Sequence, residues 1–159
     1  MSVQTFAQWK SYYPQAKNKN KEVKNKEIDK DKSLYETYLF NALKAKSLEN
    51  YKEALRQFQK CIKLNTKQAL PFYESALINK NQGNLDLAQE QIKTATTLEK
   101  NNRWYQLTYA EILFSKQNFK NAAVEYKKLI LLDPGNEEPY YFLADTYIYD
   151  KDFLKAIAV

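Results

Sequence analysis

Cys61 is the only thiol in this 159-residue chain, and the sequence contains no histidine to draw off its proton. A cysteine near its ordinary pKa is mostly protonated at neutral pH and needs a neighbouring base or cation to become a nucleophile. The lack of histidine also removes the commonest metal ligand, the commonest general base and the usual neutral-pH switch. One cysteine can close neither an internal disulfide nor a zinc cluster. The adjacent acids Glu137 and Glu138 stand where a helix is expected to begin, a position that favours negative charge for structural reasons. Residues 17–32 are rich in lysine and could attract phosphates. Glu22, Glu27, Asp29 and Asp31 interrupt them, however, and no aromatic residue is interleaved for base stacking. These residues therefore predict a chain with no catalytic site, no metal, no cofactor and no nucleic-acid partner. The expected activity is binding.

The elements that would present a binding surface are set by spacing. Ala54, Ala88, Ala122 and Ala156 lie 34 residues apart, and Ala42, Ala76, Ala110 and Ala144 keep the same step. A fixed period of this length marks one supersecondary unit used repeatedly, each copy burying its apolar face against its neighbours. With repeats started at Tyr35, Ala69, Arg103 and Glu137, position 17 holds Tyr51, Leu85, Phe119 and Phe153. Positions 24, 27 and 30 hold Phe58, Ile92, Tyr126, then Cys61, Ala95, Leu129, then Leu64, Leu98, Leu132. That three- and four-residue spacing makes one apolar helical stripe and places Cys61 at a packing position.

Turn chemistry recurs at matching places. Asn50, Asn84, Asn118 and Asp152 occupy position 16 and are suited to capping the second helix of each pair; Asn50 with Glu53 resembles a capping box. Gly83 precedes Asn84 where a tight turn needs a permissive backbone. Asn102 and Asn136 offer caps between repeats, and Pro71 and Pro139 fall in first turns that tolerate a missing amide. The sequence thus predicts helices over 34–47, 50–64, 68–81, 84–98, 102–115, 118–131, 136–149 and from 152 onward.

The net charge of +6 is uneven, since residues 1–32 hold eight lysines against four acids. Residues 17–32 carry only two aliphatic side chains and read as a solvated linker. Thr5-Phe6-Ala7 before Gln8 is similar to the end of a secretory signal, although the apolar stretch such a signal needs is missing. It predicts an exported, periplasmic or cell-envelope protein whose start lies upstream of Met1; a cytoplasmic protein is the alternative. No stretch is long and apolar enough to span a membrane as a helix. The expected organisation is an N-terminal segment and linker over 1–32, with a possible signal remnant at 1–7, and a repeat array over 33–159. That array has three full repeats and a truncated fourth. The pattern stops at Val159, position 23 of the fourth repeat, which predicts a fragment of a longer protein.

Over residues 33–159 the pattern resembles tetratricopeptide repeats. The matching features are aromatic residues near position 4, small residues at 8, Ala at 20, aromatics at 17 and 24, and the junction Leu132-Asp133-Pro134-Gly135-Asn136. Thr66 and Lys100 replace the proline of position 32, Asn79 the aromatic of position 11, and Gln106 the bulky residue of position 4. Trp104 and Tyr105 are expected to fill the space left by Gln106. The resemblance implies an all-α fold, a right-handed superhelical α-solenoid of antiparallel helix pairs.

It also implies a concave groove lined by the first helix of each pair. The matching side chains are Leu39, Leu43 and Lys46, then Leu70, Tyr73, Leu77, Lys80 and Asn81. The third repeat contributes Trp104, Leu107, Glu111 and Phe114, and the fourth Tyr141, Asp145, Ile148 and Tyr149. In this family a two-carboxylate clamp can grip the acidic C-terminus of a chaperone through Lys, Asn and Arg. Here Leu39, Leu43, Glu74, Trp104 and Thr108 stand at those places, so the clamp is not expected. The groove instead suits an amphipathic helix or an extended apolar peptide. Alternatively, these side chains pack within the superhelix or under Trp9, Tyr12 and Tyr13. The expected function is a protein-interaction scaffold. The alternative is a regulatory or docking segment of a larger multidomain protein, fused to an enzyme or tied to the cell envelope.

Overall fold

The computed structural model describes residues 15–159, with side chains from residue 30 onward. The signal-like tripeptide and Trp9, Tyr12 and Tyr13 lie outside the described residues. Eight helices and no strand occur among the described residues. They are α1 (Gln15–Ser47), α2 (Tyr51–Leu64), α3 (Ala69–Asn81), α4 (Leu85–Leu98), α5 (Arg103–Ser115), α6 (Phe119–Leu132), α7 (Glu138–Tyr149) and α8 (Phe153–Ile157). No described helix is long and apolar enough to cross a membrane.

From α2 onward every boundary lies within two residues of the spacing-based expectation at the helix starts. The departure is α1, which begins 19 residues earlier than expected and takes in the stretch read as a linker. The physical reason is propensity without amphipathicity. Lys, Glu, Gln and Ala are good helix formers, and no glycine or proline interrupts the chain between Pro14 and Pro71. Such a segment lacks the apolar stripe that makes a helix visible in a sequence. Two compact units divide at Thr37 and Tyr38. In the first, Thr37 Oγ1 donates to the Ser33 carbonyl at 2.9 Å, one turn back along the helix.

In the second unit the core forms three clusters, each crossing a repeat boundary. Ala42, Ala45, Ala54 and Phe58 of the first repeat pack with Ile78 of the second. Ala69, Ala76, Ala88, Ile92 and Ala95 pack with Tyr105 and Ile112 of the third. Ala110, Leu113, Ala122, Ala123, Tyr126 and Leu129 pack with Leu143 and Tyr147 of the fourth. The alanines at positions 8 and 20 are fully buried in the first three repeats, where only a methyl group fits between crossing helices. Ala144 and Ala156 are half-buried. Cys61 is buried, as its packing position requires.

Every first helix ends in the same way. The amide of position 15 donates to the carbonyl three residues back (Glu49 to Lys46, Gly83 to Lys80, Gln117 to Phe114, Lys151 to Ile148), and the next amide reaches five back. This is the Schellman arrangement, and it requires a left-handed residue. Gly83 supplies one at φ 78°, but Glu49, Gln117 and Lys151 adopt φ of 57°, 58° and 62° with a Cβ attached. The expected side-chain caps are present in part. Asn50 accepts from the Glu53 amide, Asp152 from the Lys155 amide, and Asn102 from the amides of Trp104 and Tyr105. Asn84 and Asn118 make no side-chain cap bond; Asn84 Nδ2 faces Asn79 Oδ1 at 3.4 Å instead. Asn136 accepts from the Glu138 amide.

Two stability measurements follow from this packing. Phe58→Ala, at a fully buried position in the first cluster, is expected to cost about 3–5 kcal/mol in urea denaturation. Gln117→Gly is expected to stabilise by about 1 kcal/mol, because glycine takes the left-handed conformation without strain. A lowered urea midpoint for Gln117→Gly would contradict the strain at that turn.

Candidate functional site

The side chains expected to line a groove lie on α1, α3, α5 and α7, the first helix of each pair. Their exposure divides them. Trp104 (61%), Tyr141 (66%), Ile148 (48%) and Tyr149 (62%) are open to solvent. Leu39, Leu70, Tyr73, Leu77, Lys80, Leu107, Glu111 and Phe114 are half-buried. Leu43, Asn81 and Asp145 are exposed.

Ion pairs tie the first three of these helices together. Lys46 Nζ meets Glu74 Oε2 at 2.5 Å, linking α1 to α3, and Lys80 Nζ pairs with Glu111 Oε2, linking α3 to α5. Both pairs are partly shielded, with side-chain exposures of 33% and 13%, then 26% and 32%, so solvent screening weakens them less than a surface pair. Tyr73 packs on Tyr105 with centroids 4.5 Å apart and rings tilted at 34°. The charges at this end are thus spent within the protein.

The other end is aromatic. Phe114, Phe119 and Tyr149 form a triangle with centroid separations of 5.4, 5.1 and 5.8 Å. Phe114 stands edge-on to both partners, the geometry preferred by ring quadrupoles. Arg103 lies 5.4 Å from the exposed Trp104 ring. The change has a simple origin: position 12 is lysine in the first two repeats, at Lys46 and Lys80, and becomes Phe114 and Ile148 in the next two. Position 9 changes the opposite way, from Leu43 and Leu77 to Glu111 and Asp145. Lys80 reaches Glu111, but Phe114 stands where a lysine would have to be to reach Asp145 in the same way. Burial pushes the Tyr126 phenol well above its ordinary range, with the carboxylates of Glu111 and Asp145 adding to the shift. That hydroxyl is therefore a neutral group behind the acidic positions.

Two sequence expectations change here. Trp104 does not fill the place of a bulky residue at position 4. Gln106 keeps that place itself, buried, and donates to Glu125 on α6, which also holds Lys128 at 2.8 Å. Tyr105 is buried against Tyr73, while Trp104 turns outward. Glu74 and Phe119 were not among the expected groove residues. Glu74 closes the first ion pair, and Phe119, identified only as a packing aromatic of position 17, completes the triangle.

No protein-family profile matches this chain, and no curated protein sequence does. Solved structures do. MamA from Desulfovibrio magneticus RS-1 is 18% identical with a TM-score of 0.73, over 79% of this chain and 71% of that one. The Arabidopsis OM64 TPR domain is 17% identical with a TM-score of 0.66, over 73% and 96%. The first TPR of Spaghetti (RPAP3), bound to the HSP90 peptide SRMEEVD, is 16% identical with a TM-score of 0.65, over 80% and 95%. The chain has the tetratricopeptide-repeat fold.

Burial raises the Cys61 thiol to about 11. The folded protein is therefore expected to resist a disulfide-exchange reagent near neutral pH and to react fully once unfolded in urea. Rapid labelling of the folded chain, followed by absorbance, would contradict the packing role.

Proposed function

We propose that this protein is a protein-interaction scaffold with no chemistry of its own, and that it holds a partner peptide along the first helices of its third and fourth repeats. The observation that carries this reading is the exposure of Trp104, Tyr141, Ile148 and Tyr149 on α5 and α7, the last of them a corner of the aromatic triangle. Aromatic side chains left open on two neighbouring helices resemble the anchors of recognition surfaces, which gain most from excluding water. The fold supports it too, since a tetratricopeptide domain of similar fold is solved with a peptide bound.

The partner's chemistry follows from the same residues. Leu39, Leu43, Glu74, Trp104 and Thr108 stand at the carboxylate-clamp places, and Glu74 is engaged by Lys46. An acidic peptide terminus therefore finds no cationic cradle. Asp145 instead offers a carboxylate within an apolar surround, a setting for one lysine or arginine flanked by apolar anchors. An amphipathic helix meets that pattern with anchors spaced three and four residues apart.

The test is selection from a displayed library of amphipathic peptides, followed by calorimetry with single variants of the scaffold. Trp104→Ala and Tyr141→Ala are each expected to weaken a selected peptide by about tenfold or more. Asp145→Asn should weaken only peptides that carry the basic residue. Helicity by circular dichroism should be unchanged throughout, because all three side chains are exposed. Peptides that bind all three variants as well as the parent protein would refute this surface.

A further inference from the structure

On the face of α3 opposite the groove positions, a cleft of about 890 Å³ opens between the first and second repeats. Phe72, Ser75 and Asn79 form its α3 side, with Leu55 and Ile62 of α2 on one wall and Leu87 of α4 on the other. It exists because the second repeat carries small polar residues where the third and fourth repeats carry large ones. Positions 7 and 11 are Ser75 and Asn79 here, Tyr109 and Leu113 in the third repeat, and Leu143 and Tyr147 in the fourth. Leu113, Leu143 and Tyr147 are buried in the third core cluster, and Tyr109 packs against it. The same architecture thus packs a phenol ring against the core at position 7 or 11 of the third and fourth repeats and none at those positions of the second.

Hydrogen bonding gives the cleft a chemical polarity. Ser75 Oγ donates to the Pro71 carbonyl at 2.7 Å, and Asn79 Nδ2 donates both to the Ser75 carbonyl at 3.1 Å and to Gln91 Oε1 at 2.9 Å. These bonds occupy the Ser75 hydroxyl proton and the Asn79 amide protons. Ser75 Oγ and Asn79 Oδ1 keep acceptor capacity, the latter approached by Asn84 at 3.4 Å, while the amides of Asn50, Gln59 and Gln91 in the lining can both donate and accept. Ser75 and Asn79 are buried. Around the mouth, Lys52 and Arg56 are balanced by Glu53 and Glu90, with Arg56 and Glu53 joined at 2.6 Å. A neutral ring with a hydroxyl at its tip, able both to donate and to accept, matches apolar walls, a polar floor and a charge-balanced rim.

We infer that this cleft receives the side chain of a tyrosine from a partner polypeptide, the phenol ring between Leu55, Ile62 and Leu87 and its hydroxyl donating to Asn79 or Ser75. The site is separate from the groove of α5 and α7 and holds whether or not a peptide binds there. Its volume falls within the usual range for small-ligand sites. A tyrosine fits better than a phenylalanine, because a ring without the hydroxyl displaces water from the polar floor and returns no hydrogen bond.

The full chain is titrated with N-acetyl-L-tyrosinamide and, separately, N-acetyl-L-phenylalaninamide, observed by NMR. The expected result is saturable binding of the tyrosine compound in the millimolar range, as suits so few atoms, with the phenylalanine compound about tenfold weaker. Nuclear Overhauser contacts should run from the ring protons to the methyl groups of Leu55, Ile62 and Leu87. In the Ser75→Leu/Asn79→Tyr variant, which refills the space as the later repeats do, binding should disappear. Where that variant does not fold, the contacts in the parent protein decide. Equal binding of the two compounds, no saturable binding, contacts only to Trp104 or Tyr141, or undiminished binding by the folded variant would each overturn the inference.

Discussion

Everything in the array depends on how closely two helices approach at positions 8 and 20. Ala42, Ala76, Ala110, Ala54, Ala88 and Ala122 have no exposed surface, so the backbones meet with only a methyl group between them. That approach fixes where the larger side chains go. Phe58, Ile92 and Tyr126 fill the space beside the alanines, and residues from the following repeat complete each cluster. No repeat closes its own core. Stability is therefore a matter of neighbours, and a change in one repeat is felt by the next.

The fold was legible because its constraint is periodic. A side chain whose size is set by a helix crossing must return at the same interval, and 34 residues of spacing reveal it without any knowledge of the structure. The helix over residues 15–33 was not legible for the converse reason: its sequence shows no periodic apolar stripe. Gln106 illustrates a subtler limit. Its position is that of a bulky residue, and a polar side chain there reads as a gap; the structure fills the place by pairing it with Glu125, a partner 19 residues away.

The candidate site was legible as a set of faces but not as a set of interactions. Lys46 meets Glu74 at a separation of 28 residues and Lys80 meets Glu111 at 31, neither one whole repeat. Which side chain reaches which depends on the offset between adjacent first helices, and the sequence does not carry that offset. The same holds for Phe119, which the periodicity assigns to packing and the structure joins to Phe114 and Tyr149. The cleft beside Ser75 and Asn79 lies between these cases. The departure at Asn79 is plain in the sequence, whereas the empty space it leaves is visible only once Tyr109 and Leu113 are seen filling its counterpart.

The two ion pairs between first helices also act as mechanical ties. They hold the separation of α1, α3 and α5 by electrostatic attraction, which weakens as the Debye length contracts with ionic strength. Between α5 and α7 the tie is made of rings, and salt does little to it. The array is accordingly joined by salt-sensitive contacts between its earlier first helices and by salt-insensitive ones between its later.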